Sequence, residues 1–399
     1  MPLTVSHRCR QISPSLTLAV DAQAKALRAQ GLDVVGFGAG EPDFPTPPHI
    51  CDAAKYAIDH GMTRYTASSG TVELRQAICD KLLRDNELSY EPADIIVSNG
   101  AKHSLFNICQ AILDLGDEVL IPTPCWVSYG EMVRMAGGVP VFVPASEEEG
   151  FVPSIDAFQE RVTRRTKAVI ITSPSNPCGC VWRRKQLQDL AELCVEKGLF
   201  VISDEIYEKL LYDCEKHLSI AQISPEIKAQ TFVCNGVSKA FAMTGWRIGY
   251  TAGPREIIQA MGSFQSQATS NPNAIAQYAA TVALNSDQSC ICRMVEEFER
   301  RRDLLVRLVN NIPGLSCLKP RGAFYVLMNI KGILGRHHGD EWITNSMIFS
   351  ESLLRKKLVA VVPGIAFEAE GYVRLSYAIS QEDIQKGLSR IAEYVAEMY

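Results

Sequence analysis

An α/β fold built on a mostly parallel sheet is the architecture that this chain of 399 residues predicts, and three observations predict it. First, Glu118-Val119-Leu120-Ile121, Ala168-Val169-Ile170-Ile171 and Phe200-Val201-Ile202 are short, continuous apolar runs of strand length, the pattern of strands covered on both faces. Second, these runs alternate with helical stretches, which is the βα order of a parallel sheet. Third, Ile95-Ile96-Val97-Ser98 passes through Asn99-Gly100 into a stretch with helical spacing through Ile108, Ala111 and Ile112, a strand, glycine turn and helix in succession. The length exceeds what one small core needs, so a large and a small domain are expected.

The elements follow in order. Residues 1–44 form the N-terminal segment of the small domain. Within it Gly36-Phe37-Gly38-Ala39-Gly40 looks like a dinucleotide fingerprint, but Pro42, Pro45, Pro47 and Pro48 stop the helix such a fingerprint requires, so a ligand loop is the better reading. Residues 45–284 form the large domain, and its last apolar run is Thr231-Phe232-Val233-Cys234. Residues 285–399 return to the small domain, with a charged helix at 294–309 and an amphipathic helix at 381–398. Arg300-Arg301-Arg302, set among Glu296, Glu297 and Glu299, reads as a solvated helix face.

A net charge of −5 with dispersed basic residues argues against a nucleic-acid partner. No apolar stretch approaches membrane-spanning length, and the start of the chain lacks the apolar core of a secretory signal, so a cytoplasmic protein is expected. The 13 cysteines are odd in number and scattered, which fits reduced thiols packed as small hydrophobes. Cys178-Gly179-Cys180 and Cys290-Ile291-Cys292 are half-sites with nothing to complete them, and no metal is expected.

The chemistry centres on Lys239, in Ser238-Lys239-Ala240-Phe241 just beyond the apolar run at 231–234. An amine among small and apolar neighbours is costly to keep charged, and a lowered pKa frees the lone pair that Schiff-base chemistry uses. Asp204 ends the run at 200–202 and Tyr207 follows three residues on; at the carboxyl end of a parallel strand they can address a ligand's pyridine nitrogen and aromatic oxygen. Taken alone, Asp204 could as well cap a helix and Tyr207 fill a core. The helix opening at Gly100 and Ala101 presents free N–H groups and a positive dipole end to a phosphate, although the loop is not a Walker loop. Arg247 could close that phosphate with its planar fork.

These residues carry a resemblance. Gly40-Glu41-Pro42-Asp43-Phe44, Tyr65-Thr66, Gly100-Ala101-Lys102, Pro124-Cys125-Trp126-Val127-Ser128-Tyr129, Ser173-Pro174-Ser175-Asn176-Pro177, Ser203-Asp204-Glu205-Ile206-Tyr207, Ser238-Lys239, Met243-Thr244-Gly245-Trp246-Arg247, Gly322-Ala323-Phe324-Tyr325 and Val373-Arg374-Leu375-Ser376 run nearly end to end. Together they resemble the class I aminotransferases of the fold type I pyridoxal-phosphate enzymes, and most of all the bacterial aspartate aminotransferase branch. The resemblance implies pyridoxal 5'-phosphate as cofactor, with Lys239 as Schiff-base residue and proton shuttle, Asp204 on the pyridine nitrogen and Tyr207 on the phenolate oxygen. Trp126 would stack on the ring; Gly100, Ala101, Ser238 and Arg247 would hold the phosphate, joined by Tyr65 from the other subunit of a homodimer. Asn176 would touch cofactor and substrate, and Arg374, with the backbone of Gly40, would clamp the substrate α-carboxylate.

For substrate the resemblance implies L-aspartate and 2-oxoglutarate in a ping-pong exchange, Lys102 attracting the distal carboxylate with help from Ser15 and Thr17. A cation in a helix's first turn is mildly unfavourable and needs a reason to be there. Aromatic or prephenate preference is the alternative within the family, and Ser13 stands where several relatives carry a lysine that would favour it. A fold type I lyase acting on sulfur amino acids would share Lys239, Asp204 and Tyr207. A cofactor-binding regulatory module is the alternative from another class, opposed by the complete set and by the absence of an appended helix-turn-helix domain. Two departures from the family pattern stand out: Gly236 replaces a hydroxyl residue that binds phosphate, and Cys178 replaces the usual threonine.

Overall fold

The structure is a computed structural model that describes residues 4–10 and 12–399. In chain order its first nine strands are β1 (Val35–Gly36), β2 (Ile95–Ser98), β3 (Glu118–Thr123), β4 (Val139–Pro144), β5 (Thr166–Thr172), β6 (Phe200–Asp204), β7 (Thr231–Gly236), β8 (Gly249–Ala252) and β9 (Tyr325–Asn329). Seven of them make one sheet in the order β2-β8-β7-β6-β5-β3-β4. β8 runs antiparallel to both its neighbours and every other pair is parallel. The expected α/β fold of type I is therefore present, with one reversed strand. Val119, Leu120, Val169, Val201 and Ile202 are fully buried, each contributing about 1.5–3 kcal/mol through burial.

The register brings the carboxyl ends of the parallel strands level: Thr172 pairs with Asp204, and Asp204 with Cys234. Beside them Gly236 pairs with Gly249 at the start of the reversed strand. A Cβ on Gly249 would fall 2.2 Å from the Ala101 nitrogen, so only glycine lets the helix Ala101–Ile112 begin against the sheet's edge. Sequence thus fixes the place of that helix N-terminus through a residue with no side chain.

A second, three-stranded antiparallel sheet joins β9 to Tyr372–Ser376 and Val362–Pro363. The helices Ser289–Asn310 and Ser346–Lys357 pack against it and Gln381–Ala396 packs against those two helices, and β1 pairs with Val359–Ala360. Val35 and Phe37 share a core with Phe298, Phe324, Leu375 and Ile391, whereas Ile291 packs with Ile50, Val97 and Tyr250. The helix Ser289–Asn310 therefore starts on one core and ends on another.

The arginine run corrects the sequence reading. Arg300 is exposed, but Arg301 and Arg302 are buried, Arg302 completely. Arg302 bonds Asp213 and Glu299 and lies over the Tyr212 ring at 4.8 Å, and Arg301 bonds Asp43 and Glu297. The sequence shows only the neighbouring glutamates; partners from distant segments are what make burial of the charge tolerable.

Candidate active site

At the level carboxyl ends of β5, β6 and β7 lies a cavity of about 270 Å³, the place where open α/β sheets bind ligands. Its wall carries Lys239, Asp204, Tyr207, Ala101, Trp126, Asn176, Ser238, Arg247, Gly40, Lys102, Arg374, Ser15 and Thr17. Gly100 stands directly behind, where a Cβ would meet the Arg247 guanidinium at 2.2 Å. Residues scattered over some 360 positions of sequence thus converge on one space. Tyr65 does not join them: it is 92 % exposed, outside this chain's own cavity.

Lys239 follows β7, and its Nζ donates to the Gly40 carbonyl. Burial lowers its pKa to about 8; Glu41 opposes that shift, and Arg247 and Arg374 add to it. Asp204 ends β6 fully buried, and burial pushes its carboxyl up to about 6 although Tyr129 donates to it at 2.7 Å and the Ile206 N–H at 3.2 Å. The Tyr207 and Tyr325 hydroxyls are 2.9 Å apart, and burial raises Tyr207 well above the ordinary tyrosine value. Trp126 meets Tyr129 edge to face, and the Lys102 ammonium lies 4.7 Å from the Trp126 ring centroid. Desolvation, then the Arg247 charge, lowers Lys102.

Two anion sites emerge. Gly100, the N-cap of the helix Ala101–Ile112 at φ of 88°, has no side chain to cap it, and Ala101 and Lys102 of its first turn line the cavity together with Arg247 and Ser238. Arg247 is held at this spot by donation to the Thr244 and Asn99 carbonyls. On the opposite side Arg374 is only 2 % exposed and donates to Asn176 Oδ1 at 3.1 Å and to the Gly38 carbonyl at 2.8 Å. Its Nε is buried and has no partner among the described residues, and its guanidinium rests on the Tyr325 ring at 4.5 Å. A buried guanidinium left short of acceptors is a receptor for a carboxylate.

The comparisons with known proteins decide the family. Residues 32–391 match the aminotransferase class I and II family. The chain belongs to it. Among relatives of this aminotransferase, the aspartate aminotransferase of Geobacillus stearothermophilus is 47 % identical over 396 residues, 98 % of this chain and 99 % of that protein. The aspartate/prephenate aminotransferase of Thermus thermophilus is 47 % identical over 391 residues, 97 % of this chain and 98 % of that protein. Of solved structures, the Rhizobium meliloti aspartate aminotransferase superposes with a TM-score of 0.97 at 42 % identity and full coverage of both chains. The Thermus thermophilus aspartate aminotransferase with maleate gives 0.93 at 45 % identity, covering 98 % of this chain and all of that one.

In this aminotransferase the departure at Gly236 has a steric reason: a Cβ there would lie 2.8 Å from the Ile248 carbonyl and 3.0 Å from the Gly249 Cα. Cys178 faces Ser175 and Cys180 instead of the cavity. Tyr129, Tyr325 and the Gly38 carbonyl bind the predicted residues directly and were not singled out from sequence. For Tyr129 the available signal is its place three residues beyond Trp126 where the helix Ser128–Met135 begins. Elsewhere Glu205, Glu208 and His217 lie close enough to hold a metal, but Ser203, Ser219, Lys81 and Asn86 already bond the two carboxylates. Among the described residues no helix is long and apolar enough to cross a membrane.

Proposed function

We propose that this aminotransferase binds pyridoxal 5'-phosphate and moves the amino group of L-aspartate to 2-oxoglutarate, releasing oxaloacetate and L-glutamate. The observation that carries the reading is one cavity with Lys102 and a buried, under-bonded Arg374 in its wall, two cations for the two carboxylates of a short dicarboxylic acid. The solved relative with maleate, itself a dicarboxylate, supports it. The residues also fit the cofactor. The uncapped helix at Gly100, with Ser238 and Arg247, is a cradle for phosphate that a Cβ would fill; Asp204 is buried beside no bonded cation, and Lys239 supplies the amine.

Bound there, the cofactor supplies an aldehyde that condenses with amines and a pyridine ring that accepts electrons. Asp204 would hold the pyridine nitrogen protonated, and Trp126 would cover the ring and exclude water. The Tyr207 hydroxyl, fixed by Tyr325, would donate to the ring oxygen. Arg374 orients the amino acid through its α-carboxylate, Asn176 buttressing the guanidinium. Burial lowers Lys239 to about 8, so at neutral pH roughly a tenth of it is the free amine, far more than of an exposed lysine, and that form of Nζ can take the substrate's α-proton and return it. The return half-reaction uses the same groups with the second oxo acid, which makes the kinetics ping-pong.

The proposal extends to a cytoplasmic homodimer in which the partner subunit's Tyr65 reaches the phosphate; the exposed tyrosine supports it. It also includes a large domain at 45–284 and a small one at 1–44 and 285–399, with closure on substrate; two cores support the division, with Ile206, Tyr207, Leu210 and Tyr212 packed into the small domain's core and Ile291 into the large domain's. A broader substrate range is the second reading. An adjoining cavity of about 840 Å³ shares Ser15, Lys102 and Arg247 with the first and is lined by Ser13, leaving room for a bulkier side chain.

The test is absorbance of the purified holoenzyme. Its visible band should vanish with L-aspartate and return with 2-oxoglutarate, and Lys239→Ala should lack both band and turnover. A band that ignores aspartate and responds to another amino acid would refute the substrate, and no band after incubation with pyridoxal phosphate would refute the cofactor.

A further inference from the structure

Thirteen cysteines serve no step of this chemistry, yet two of them stand apart from the rest. Cys178 and Cys180 flank Gly179 in the loop that carries Asn176, with their sulfurs 3.2 Å apart. Ser175 Oγ lies 2.7 Å from Cys178 Sγ and 3.3 Å from Cys180 Sγ. The turn that juxtaposes them needs Gly179, at φ of 64°: a Cβ there would lie 2.6 Å from both the Gly322 carbonyl and Pro320. Cys290 and Cys292 have the same spacing but sit on the helix Ser289–Asn310, where positions two apart do not face each other. They are an internal control.

We propose that Cys178 and Cys180 form a redox-modification site, a dithiol that a peroxide closes to a disulfide, and that closure disturbs the substrate-binding position of Asn176. A third cavity, of about 190 Å³, is lined by both cysteines and by Phe151, Arg183 and Arg321. It gives a small oxidant a route that does not pass through the active site. Burial pushes the Cys178 thiol up, but donation from Cys180 and Ser175 brings it below its ordinary value, and the thiolate is the reactive form. The Cys178 sulfur attacks one peroxide oxygen, the O–O bond breaks, and a sulfenic acid and water result. Cys180 then attacks that sulfur, its proton leaving with the displaced hydroxide as a second water. The two electrons that the two sulfurs give up end on the peroxide oxygens, both released as water, and a dithiol reductant reverses the oxidation of the thiols.

The consequence follows from the loop's anchors. Closing the sulfurs from 3.2 Å to about 2 Å pulls Cys178 from Ser175, two residues from Asn176. Asn176 Oδ1 accepts from Arg374. The Gly179 carbonyl accepts from the Arg321 and Gly322 N–H groups at 3.0 and 3.1 Å, so the same movement reaches the segment leading to Tyr325. A displacement of ~1 Å at a positioning group lowers kcat/KM by about tenfold or more. This activity arm rests on the substrate reading above; the thiol chemistry does not.

The experiment treats holoenzyme with limiting hydrogen peroxide, alkylates the remaining thiols, and maps peptide masses alongside aspartate kinetics. The expected result is a peptide containing Cys178 and Cys180 that has lost two hydrogens and resists alkylation, while Cys290 and Cys292 remain alkylated. kcat/KM should fall by about tenfold or more and recover with dithiothreitol. Cys180→Ser and Cys180→Ala should retain reduced-state activity, stop at an oxygen adduct on Cys178 and never form the closed peptide. A peptide still alkylated at both positions while the exposed Cys214 is oxidised would overturn the site. A closed peptide with unchanged kinetics would overturn its effect on Asn176. Should reduced enzyme fail to turn over aspartate, the substrate reading falls, and the peptide mass still decides the thiol chemistry.

Discussion

Asp204→Asn should stabilise the cofactor-free protein while abolishing its activity. Burial raises the Asp204 carboxyl from its ordinary 3.8 to about 6, so between those values the folded chain binds a proton that the unfolded chain has released. Stability is therefore lost as pH rises through this window, and the loss is complete above it. Its size is about 2.2 × 1.36, or ~3 kcal/mol. Asparagine carries no charge and escapes that cost, but it has one oxygen for two donors, Tyr129 Oη and the Ile206 N–H. Losing one neutral bond costs about 1 kcal/mol, which leaves a net gain of ~2 kcal/mol near pH 8. Urea unfolding of the cofactor-free proteins at pH 5 and pH 8 measures it, and the advantage of the variant should grow by roughly 1.4 kcal/mol between them. A pH-independent difference, or an Asp204→Asn protein less stable at pH 8, would refute the assignment of Asp204 as a desolvated carboxylate awaiting a cation.

Arg374→Lys keeps the charge but loses the fork, and the ~1.5–3 kcal/mol of a charged hydrogen bond translates to a fall in kcat/KM of about 10- to 150-fold; steady-state kinetics with unchanged rates would count against the clamp. Gly236→Ser should lower the unfolding free energy measured in urea by ~1–3 kcal/mol through overpacking, without tightening cofactor binding, because the new Cβ meets the Ile248 carbonyl and Gly249 Cα. A stable variant that holds phosphate more firmly would show that the missing hydroxyl, not the fit, is what matters there. Tyr65→Phe should weaken cofactor retention on dialysis by roughly tenfold if a partner copy's hydroxyl reaches the phosphate. Identical retention would remove the evidence for a shared site.

The parts legible in sequence are those whose physics is local. β3, β5 and β6 announce themselves because strands covered on both faces must be apolar throughout, and the Gly100 turn because a helix start needs few residues to define it. β8 reads as Gly-Tyr-Thr-Ala and has too little pattern to reveal that it runs against its neighbours. Tyr129 and Tyr325 look like core aromatics until the fold points their hydroxyls at Asp204 and Tyr207. Arg302 fails in the same way. Its partner Asp213 lies 89 positions away, and no window along the chain distinguishes a buried, paired arginine from a solvated one.

What the fold assembles at the cavity runs against the chain's overall charge of −5. Lys102, Lys239, Arg247 and Arg374 line the same wall as Asp21 and Asp204, and Asp21 is already paired with Lys25. Desolvation lowers Lys102, Lys239 and Arg374 alike, so each cation is held at a cost that an anion entering the cavity would offset. Asp204 carries the opposite cost and awaits a cation. In the proposed complex a phosphate at Gly100 and Arg247, a protonated ring nitrogen at Asp204 and carboxylates at Arg374 and Lys102 would relieve these costs together. On the proposed reading the ligand-free site is destabilised in the pattern of charges that its ligands would bring: Arg302 is buried with Asp213 and Glu299 as partners, whereas Arg374 and Asp204 are buried without a bonded counter-charge among the described residues.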